Sequence, residues 1–219
     1  MRVAIIAFGY PPLPHVSGTR ASAMALELCR LGHEVLVITV DWRQDRSVDL
    51  DDPPSVRVLR IDPRAWNPHF QIKPPFDTER RPRIDALRRL QTIRSIFRWG
   101  PYPNWARQAL ADLLKAHSST PFDVAWAIHG DPSAHEVACR FHRKTRVPWV
   151  ADYKDPWNLF YSKRLWPAVE LATRRRLMTA ATLTETSAAQ ADLDRRFSRT
   201  VHVIWSGYDS GLMDDAVAQ

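Results

Sequence analysis

Val3-Ala-Ile-Ile-Ala-Phe8, Gly9-Tyr-Pro-Pro-Leu-Pro-His-Val-Ser-Gly18, a helical run to Leu31, then Gly32-His-Glu34 and Val35-Leu-Val-Ile-Thr39 decide the fold of this chain. Two short, unbroken apolar runs separated by one amphipathic segment read as strand, crossover helix and strand, buried on both faces of a parallel sheet. In the helix, Met24, Leu28 and Leu31 share a face with Ala21 and Ala25, thin enough to lie close on a sheet. Gly32 is placed to end it as a left-handed cap. Gly18 permits close backbone approach, Ser17 or Thr19 can cap the helix, and free N–H groups at that turn would suit an anion.

The 219 residues suffice for one well-buried α/β domain, and 45% hydrophobic with 10% aromatic residues is ordinary for a globular fold. No run reaches the roughly 18 apolar residues of a membrane span, and the N-terminal run is too short for a signal peptide, so a cytoplasmic protein is expected. Cys29 and Cys139 lie far apart with no CxxC pair, which predicts two buried free thiols and no zinc site. The net charge of +7 is compatible with nucleic acid, anionic lipid or a phosphorylated ligand, so the position of the charge must decide.

Further along, Val56 to Ile61 is a third strand. Five prolines between Asp62 and Arg83 predict a long irregular excursion. Arg80 to Trp99 reads as a basic amphipathic helix: Ile84, Leu87, Leu90, Ile93 and Phe97 recur at helical spacing, with Arg88, Arg89, Arg94 and Arg98 around the rest. Seven arginines face one acid, Asp85, between positions 80 and 98, a net +6 that is close to the charge of the whole chain. Packing of the apolar face with solvated arginines is the plain reading. The sharper one is attachment to an anionic membrane, with Arg88, Arg89, Arg94 and Arg98 at the headgroups and Trp99, Tyr102 and Trp105 as interfacial anchors. Nucleic acid is not expected, since no recognition motif or second basic stripe is present.

Asn104 is a candidate cap for a helix to His117 that buries Leu110, Leu113 and Leu114. Phe122 to Ile128 is a fourth strand, followed by a helix from near Ser133, and Val147 to Ala151 is a fifth. A helix over about 162–180, a strand from Ala181 to Glu185, a helix from Ser187 to Phe197 and a strand from Val201 to Ile204 complete the pattern. The fold expected is a Rossmann-like, doubly wound, mostly parallel sheet of about seven strands.

Ligands of such sheets bind beyond the carboxyl ends of the strands, near the reversal of strand order. Three unusual loops fall there: Gly9 to Thr19, His129 to Pro132, and Asp152 to Trp157. Together they offer a Gly loop, an imidazole, carboxylates and Lys154 on one rim, as a polar-ligand cleft needs. Asp152 or Asp155 can also cap the helix that follows, with Pro156 in its first turn.

Tyr10-Pro11-Pro12, Ser17-Gly18 and Gly32-His33-Glu34-Val35 resemble the opening of the GT-B glycosyltransferases, in particular the large retaining family 4-like group, with Ser17 in place of one of the usual paired glycines. Pro103-Asn104-Trp105 resembles a Pro-Asp-Trp-like junction of that group. Asp152-Tyr-Lys-Asp155-Pro-Trp157 resembles its Asp-x-Arg-Asp-x-Trp stretch, with Lys154 where Arg is usual, which keeps charge and loses bidentate geometry. Val203-Ile-Trp-Ser-Gly-Tyr-Asp209 resembles the family's exit from its first domain.

The resemblance implies that residues 1–209 are the acceptor-side half of a GT-B fold and 210–219 the start of a linker or tail. The chain stops ten residues after Asp209, so the C-terminal nucleotide-sugar domain is expected to be absent. The implied activity is transfer of a sugar from a nucleotide-sugar to a glycan, lipid-linked or small-molecule acceptor in carbohydrate biosynthesis, with this half inactive alone. His129 and His135 are equal candidates for the histidine beside the transferred sugar. Asp155 joins them as a catalytic candidate, and Ser17, Gly18, Thr19, Asp131, Asp152, Lys154 and Trp157 are expected to bind substrate.

His129, Asp131, His135 and Glu136 could form a metal site on paper, but the resemblance implies no catalytic metal. It also implies no cofactor beyond the donor, which the other domain mainly holds. A separately encoded C-terminal half and the inner membrane face are the expected partners. The competing readings are a non-catalytic sugar- or phosphate-binding module and a membrane-surface adaptor.

Overall fold

The computed structural model describes residues 1–13, 15–43, 52–63, 93, 96–128, 132–154, 161–198 and 200–205. The opening βαβ unit forms as its pattern requires: β1 (Arg2–Ala7), α1 (Val16–Arg30) and β2 (Glu34–Val40). Then follow β3 (Val56–Ile61), α2 (Pro103–Ser119), β4 (Val124–Ile128), α3 (Pro132–Thr145), β5 (Trp149–Asp152), α4 (Trp166–Leu177), β6 (Thr182–Glu185), α5 (Ala188–Asp194) and β7 (Val201–Val203). One 3-10 turn, Lys163–Leu165, leads into α4. The strands form one sheet in the order β3-β2-β1-β4-β5-β6-β7, and every pairing is parallel. The doubly wound Rossmann-like architecture is therefore present, with strand order reversing between β1 and β4.

Alternation along the strands splits the core in two. On one face Val3, Ile5, Val35 and Val37 pack with Ala21 and Ala25 of α1. On the other, Ala4, Ile6, Leu36 and Ile38 meet Trp105, Ala109 and Leu113 of α2, Val137 and Phe141 of α3, and Val169 and Leu177 of α4. The α3–α4 seam also carries a buried ionic knot. Glu136 accepts from Arg140 Nε at 2.6 Å and from Arg176 Nε, while Arg176 Nη2 donates to the Ile96 carbonyl at 2.7 Å.

Gly32 ends α1 as expected, at φ +81°, with its N–H on the Cys29 carbonyl and the His33 N–H on the Leu28 carbonyl. That pair of bonds is a Schellman closure. Leu31 is the C-cap and lies exposed instead of on the sheet, while Met24 and Leu28 are only half-buried.

Other ends differ from expectation. His15 caps α1 in place of Ser17 or Thr19, because its ring Nδ1 accepts the Ser17 N–H at 3.2 Å. Helix α2 begins at Pro103, one residue before Asn104, since Pro suits a first-turn position that needs no N–H donor. Asn104 instead accepts from Arg107 Nη1 at 2.9 Å. Leu114 is only partly buried, and Cys29 is half-buried while Cys139 is buried, both as free thiols.

The aromatics after the basic segment are committed to packing. Trp105 is fully buried against Phe8, Tyr102 stacks on Phe8 at 4.1 Å, and Trp99 lies under the Arg140 guanidinium at 3.8 Å. Trp105 is thus not an interfacial anchor: it sits on the buried stripe of α2 with Ala106, Ala109 and Leu113. Ile93, Ile96 and Phe97 are helical and Arg98 is exposed, whereas Arg88, Arg89, Arg94 and the segment before them lie outside the described residues. The expected domain boundary at Asp209 lies outside them too.

Candidate functional site

The carboxyl end of the sheet is built around Asp152, the last residue of β5, whose side chain is wholly buried. Its Oδ2 accepts from Arg20 Nε at 2.8 Å, and its Oδ1 accepts from Arg20 Nη2 at 2.7 Å and from Thr184 Oγ1 of β6 at 2.7 Å. Arg20 comes from the second turn of α1, with its side chain 5% exposed. The fork-on-carboxylate geometry satisfies both oxygens, which a buried carboxylate requires. Arg20 Nη1 also reaches the Trp205 carbonyl at 3.5 Å, where the chain leaves β7. One guanidinium thus joins α1, β5 and the exit from the sheet.

Beneath it, His135 of α3 is fully buried, with Nε2 at 3.0 Å from the Asp152 carbonyl. A carbonyl can only accept, so Nε2 carries the proton. Burial first of all drives the His135 pKa down, to about 4, against the attraction of Asp152 and with the help of Arg176. His135 is accordingly neutral near pH 7 and works as a prop under the β5 terminus.

The loop after β1 is held just as firmly. The Phe8 carbonyl accepts from Trp42 Nε1 at 2.8 Å, and Arg60 Nη2 donates to the Pro11 carbonyl at 3.3 Å. A Cβ on Gly9 would lie 2.7 Å from Ser17 Oγ, and one on Gly18 would lie 3.2 Å from the Leu13 carbonyl oxygen and 3.3 Å from the Tyr10 Cα. Both glycines therefore serve the approach of α1 to its own loop. Three donors of the first turn are already in use: the Ser17 N–H on His15 Nδ1, and the Gly18 and Thr19 N–H groups on the His15 carbonyl. An anion bound there by Ser17, Gly18 and Thr19 would have to displace the His15 cap, so these three N–H groups are not free as expected.

Of the residues expected at the site, Ser17, Gly18, Thr19, His135, Asp152 and Lys154 are described, and α1 and β5 meet at the same edge of the sheet. Ser17, Gly18, His135 and Asp152 are buried, Thr19 is exposed and Lys154, just beyond Tyr153, is half-buried. Both Asp152 oxygens accept from Arg20 or Thr184, and the start of the helix that Asp152 or Asp155 was expected to cap lies outside the described residues. His129, Asp131, Asp155 and Trp157 lie outside the described residues. Sequence reasoning passed over Arg20, although the signal was present: it falls on the stripe of α1 that buries Ser17, Gly18, Ala21 and Ala25. A charge on such a stripe needs a buried partner.

No protein-family model and no curated protein matches this sequence. Among solved structures, sucrose-phosphate synthase from Thermosynechococcus elongatus is similar over 100% of this chain and 52% of its own, with a TM-score of 0.66 and 14% identity. A UGT transferase from Siraitia grosvenorii in complex with UDP is similar over 94% of this chain and 51% of its own, with a TM-score of 0.51 and 10% identity. The chain spans about half the length of these proteins. Its fold is that of one half of a GT-B glycosyltransferase.

Two outcomes are expected. Arg20→Ala, which strands a buried carboxylate, lowers unfolding free energy by about 3–5 kcal/mol, and Arg20→Ala with Asp152→Ala together costs less than the sum of the two singly, as urea denaturation will show. Because the folded His135 pKa lies below its ordinary 6.5, the unfolded chain binds the extra proton first on acidification. Stability due to this group is therefore complete above about pH 6.5 and falls by up to about 3 kcal/mol as pH drops toward 4. Asp194, whose pKa burial raises, acts with the opposite sign. The difference between the wild type and His135→Gln, followed by urea midpoint against pH, isolates the histidine.

Proposed function

We propose that this chain is the acceptor-binding half of a retaining, family 4-like glycosyltransferase, which passes a sugar from a nucleotide-sugar to a glycan, lipid-linked or small-molecule acceptor. The observation that carries the reading is the all-parallel sheet with strand order reversing between β1 and β4, similar along its whole length to one half of sucrose-phosphate synthase. A crevice at that reversal is where open α/β sheets take ligands. The second half of such a fold is proposed to hold most of the donor.

The described residues suit an acceptor better than a diphosphate. The α1 first turn has three of its donors engaged by His15, so it offers no ready phosphate cradle. Lys154, half-buried at the end of β5, is a point charge suited to a sugar hydroxyl or to a charge developing as the diphosphate leaves. Arg20, Asp152 and His135 are positioning residues in this proposal. They fix the backbone from which Tyr153 and Lys154 emerge, so that the reacting groups need little reorganisation. Direct chemistry is assigned to His129 and Asp155, with Asp131 and Trp157 as substrate contacts, on the strength of the resemblance alone.

The reading predicts that the purified 219-residue chain shows no multiple turnover with UDP-, GDP- or ADP-sugars, because transfer needs both halves closed on the substrates. Saturation-transfer NMR with a panel of simple glycosides should nevertheless detect sugar contact, weakened about tenfold by Lys154→Ala, the loss expected for a hydrogen bond to a charged group. Repeated turnover by the chain alone, or binding of nucleotide diphosphates without any sugar contact, contradicts the proposal.

A further inference from the structure

The outer side of α4 is unusual for a helix packed on a sheet. Its inner face buries Val169, Ala172, Thr173, Arg176 and Leu177 against the core. On its outer side Leu171 is 60% exposed and Met178, just past the helix end, 61% exposed. Pro167, Leu171, Arg174 and Met178 are spaced by three and four residues, which places them along one line of the helix surface. Large apolar side chains scattered singly need no explanation, but Leu171 and Met178 fall on the same line.

The charge around this line has one sign. Arg164, Arg174 and Arg175 are exposed beside the apolar residues. The single acid of the helix, Glu170, is engaged by Arg196 Nη1 of the segment after α5 at 3.3 Å, so it does not neutralise them. The basic segment also ends against the same layer: Arg176 Nη2 holds the Ile96 carbonyl, and Arg140 Nη2 donates to the Arg98 carbonyl at 3.3 Å. The exposed Arg98 is thus tied through these two bonds to the α3–α4 layer.

We infer that the outer face of α4 is a docking surface for an anionic lipid bilayer, with Leu171 and Met178 entering the headgroup boundary and Arg164, Arg174 and Arg175 meeting the lipid phosphates. Exposed apolar side chains flanked by arginines suit an interface rich in anionic lipid headgroups. The complementary charge selects the occupant. A neutral partner would leave three arginines uncompensated, and a purely ionic one would have no use for Leu171 and Met178. The inference is independent of sugar transfer, and it moves the expected membrane contact from Trp105, which is buried, and Trp99 and Tyr102, which are half-buried against the core, to side chains that are more exposed. No helix among the described residues is long and apolar enough to cross a membrane.

The test is co-sedimentation of the 219-residue chain with vesicles of pure phosphatidylcholine or of phosphatidylcholine with one-third phosphatidylglycerol, at low and high salt. Binding to the anionic vesicles alone is expected, falling about tenfold as salt rises. It should fall about tenfold again in Arg174→Gln/Arg175→Gln and, separately, in Leu171→Ser/Met178→Ser. These surface substitutions should leave the thermal midpoint unchanged, which keeps a loss of binding distinct from a loss of fold. Equal sedimentation with both vesicle types overturns the inference, as does binding insensitive to Leu171→Ser/Met178→Ser. Loss only when Arg88, Arg89 and Arg94 become Gln, or retention by polyglutamate beads without vesicle binding, overturns it in favour of the basic segment or of an acidic polypeptide.

Discussion

A carboxylate sealed at the end of a central strand is tolerable only with a cation fixed against it, and the Arg20–Asp152 pair is the constraint on which the rest of the edge depends. Removing two charges from water costs several kcal/mol for each ion, recovered only with near-ideal geometry and full hydrogen bonding. Arg20 meets that demand with two parallel bonds, and Thr184 adds a third. For Arg20 to reach Asp152, α1 must sit close to the sheet and to the loop before it. That closeness explains why Gly9 and Gly18 carry no side chain and why Ala21 and Ala25 line the helix. The Trp205 carbonyl then extends the same constraint to the chain leaving β7.

Most of the architecture was legible because it depends on periodicity and punctuation. The apolar runs Val3–Phe8 and Val35–Thr39 and the stop at Gly32 specify a parallel βαβ unit, and the later strands follow the same logic. Helix starts were less legible. A Ser-Gly-Thr sequence suggests a cap, yet a histidine ring two residues ahead of Ser17 reached its N–H, a choice made by loop geometry that spacing cannot reveal. Trp105 illustrates the converse error. An aromatic next to a basic segment suggested a membrane anchor, but its place on the stripe with Ala106, Ala109 and Leu113 assigned it to the core.

That α1 and the end of β5 meet at the carboxyl edge of the sheet was legible, whereas the bonding of the residues there was not. Asp152 stood out as an ionisable residue at a β-strand end and His135 through the resemblance, but both are engaged with protein groups, and a neutral buried imidazole under a strand end is a prop. The partner that explains Asp152, Arg20, lies 132 positions away, and no local pattern links the two. At the carboxyl edge of the sheet the described structure thus supplies a rim tied by hydrogen bonds, two residues before the half-buried Lys154. Its α4 face offers a second, separate surface, where apolar and basic side chains stand exposed together.

Native-state hydrogen exchange on Arg20→Lys tests this account most directly, because lysine keeps the charge and cannot make the two-pronged contact. If the pair organises the edge, protection falls by about tenfold or more at the Tyr153 amide, which bonds to the Thr184 carbonyl, and at the amides of the first turn of α1, while Ile5 and Val37 in the sheet centre keep theirs. Unchanged protection at Tyr153 and in α1, or an equal loss throughout the sheet, would contradict it.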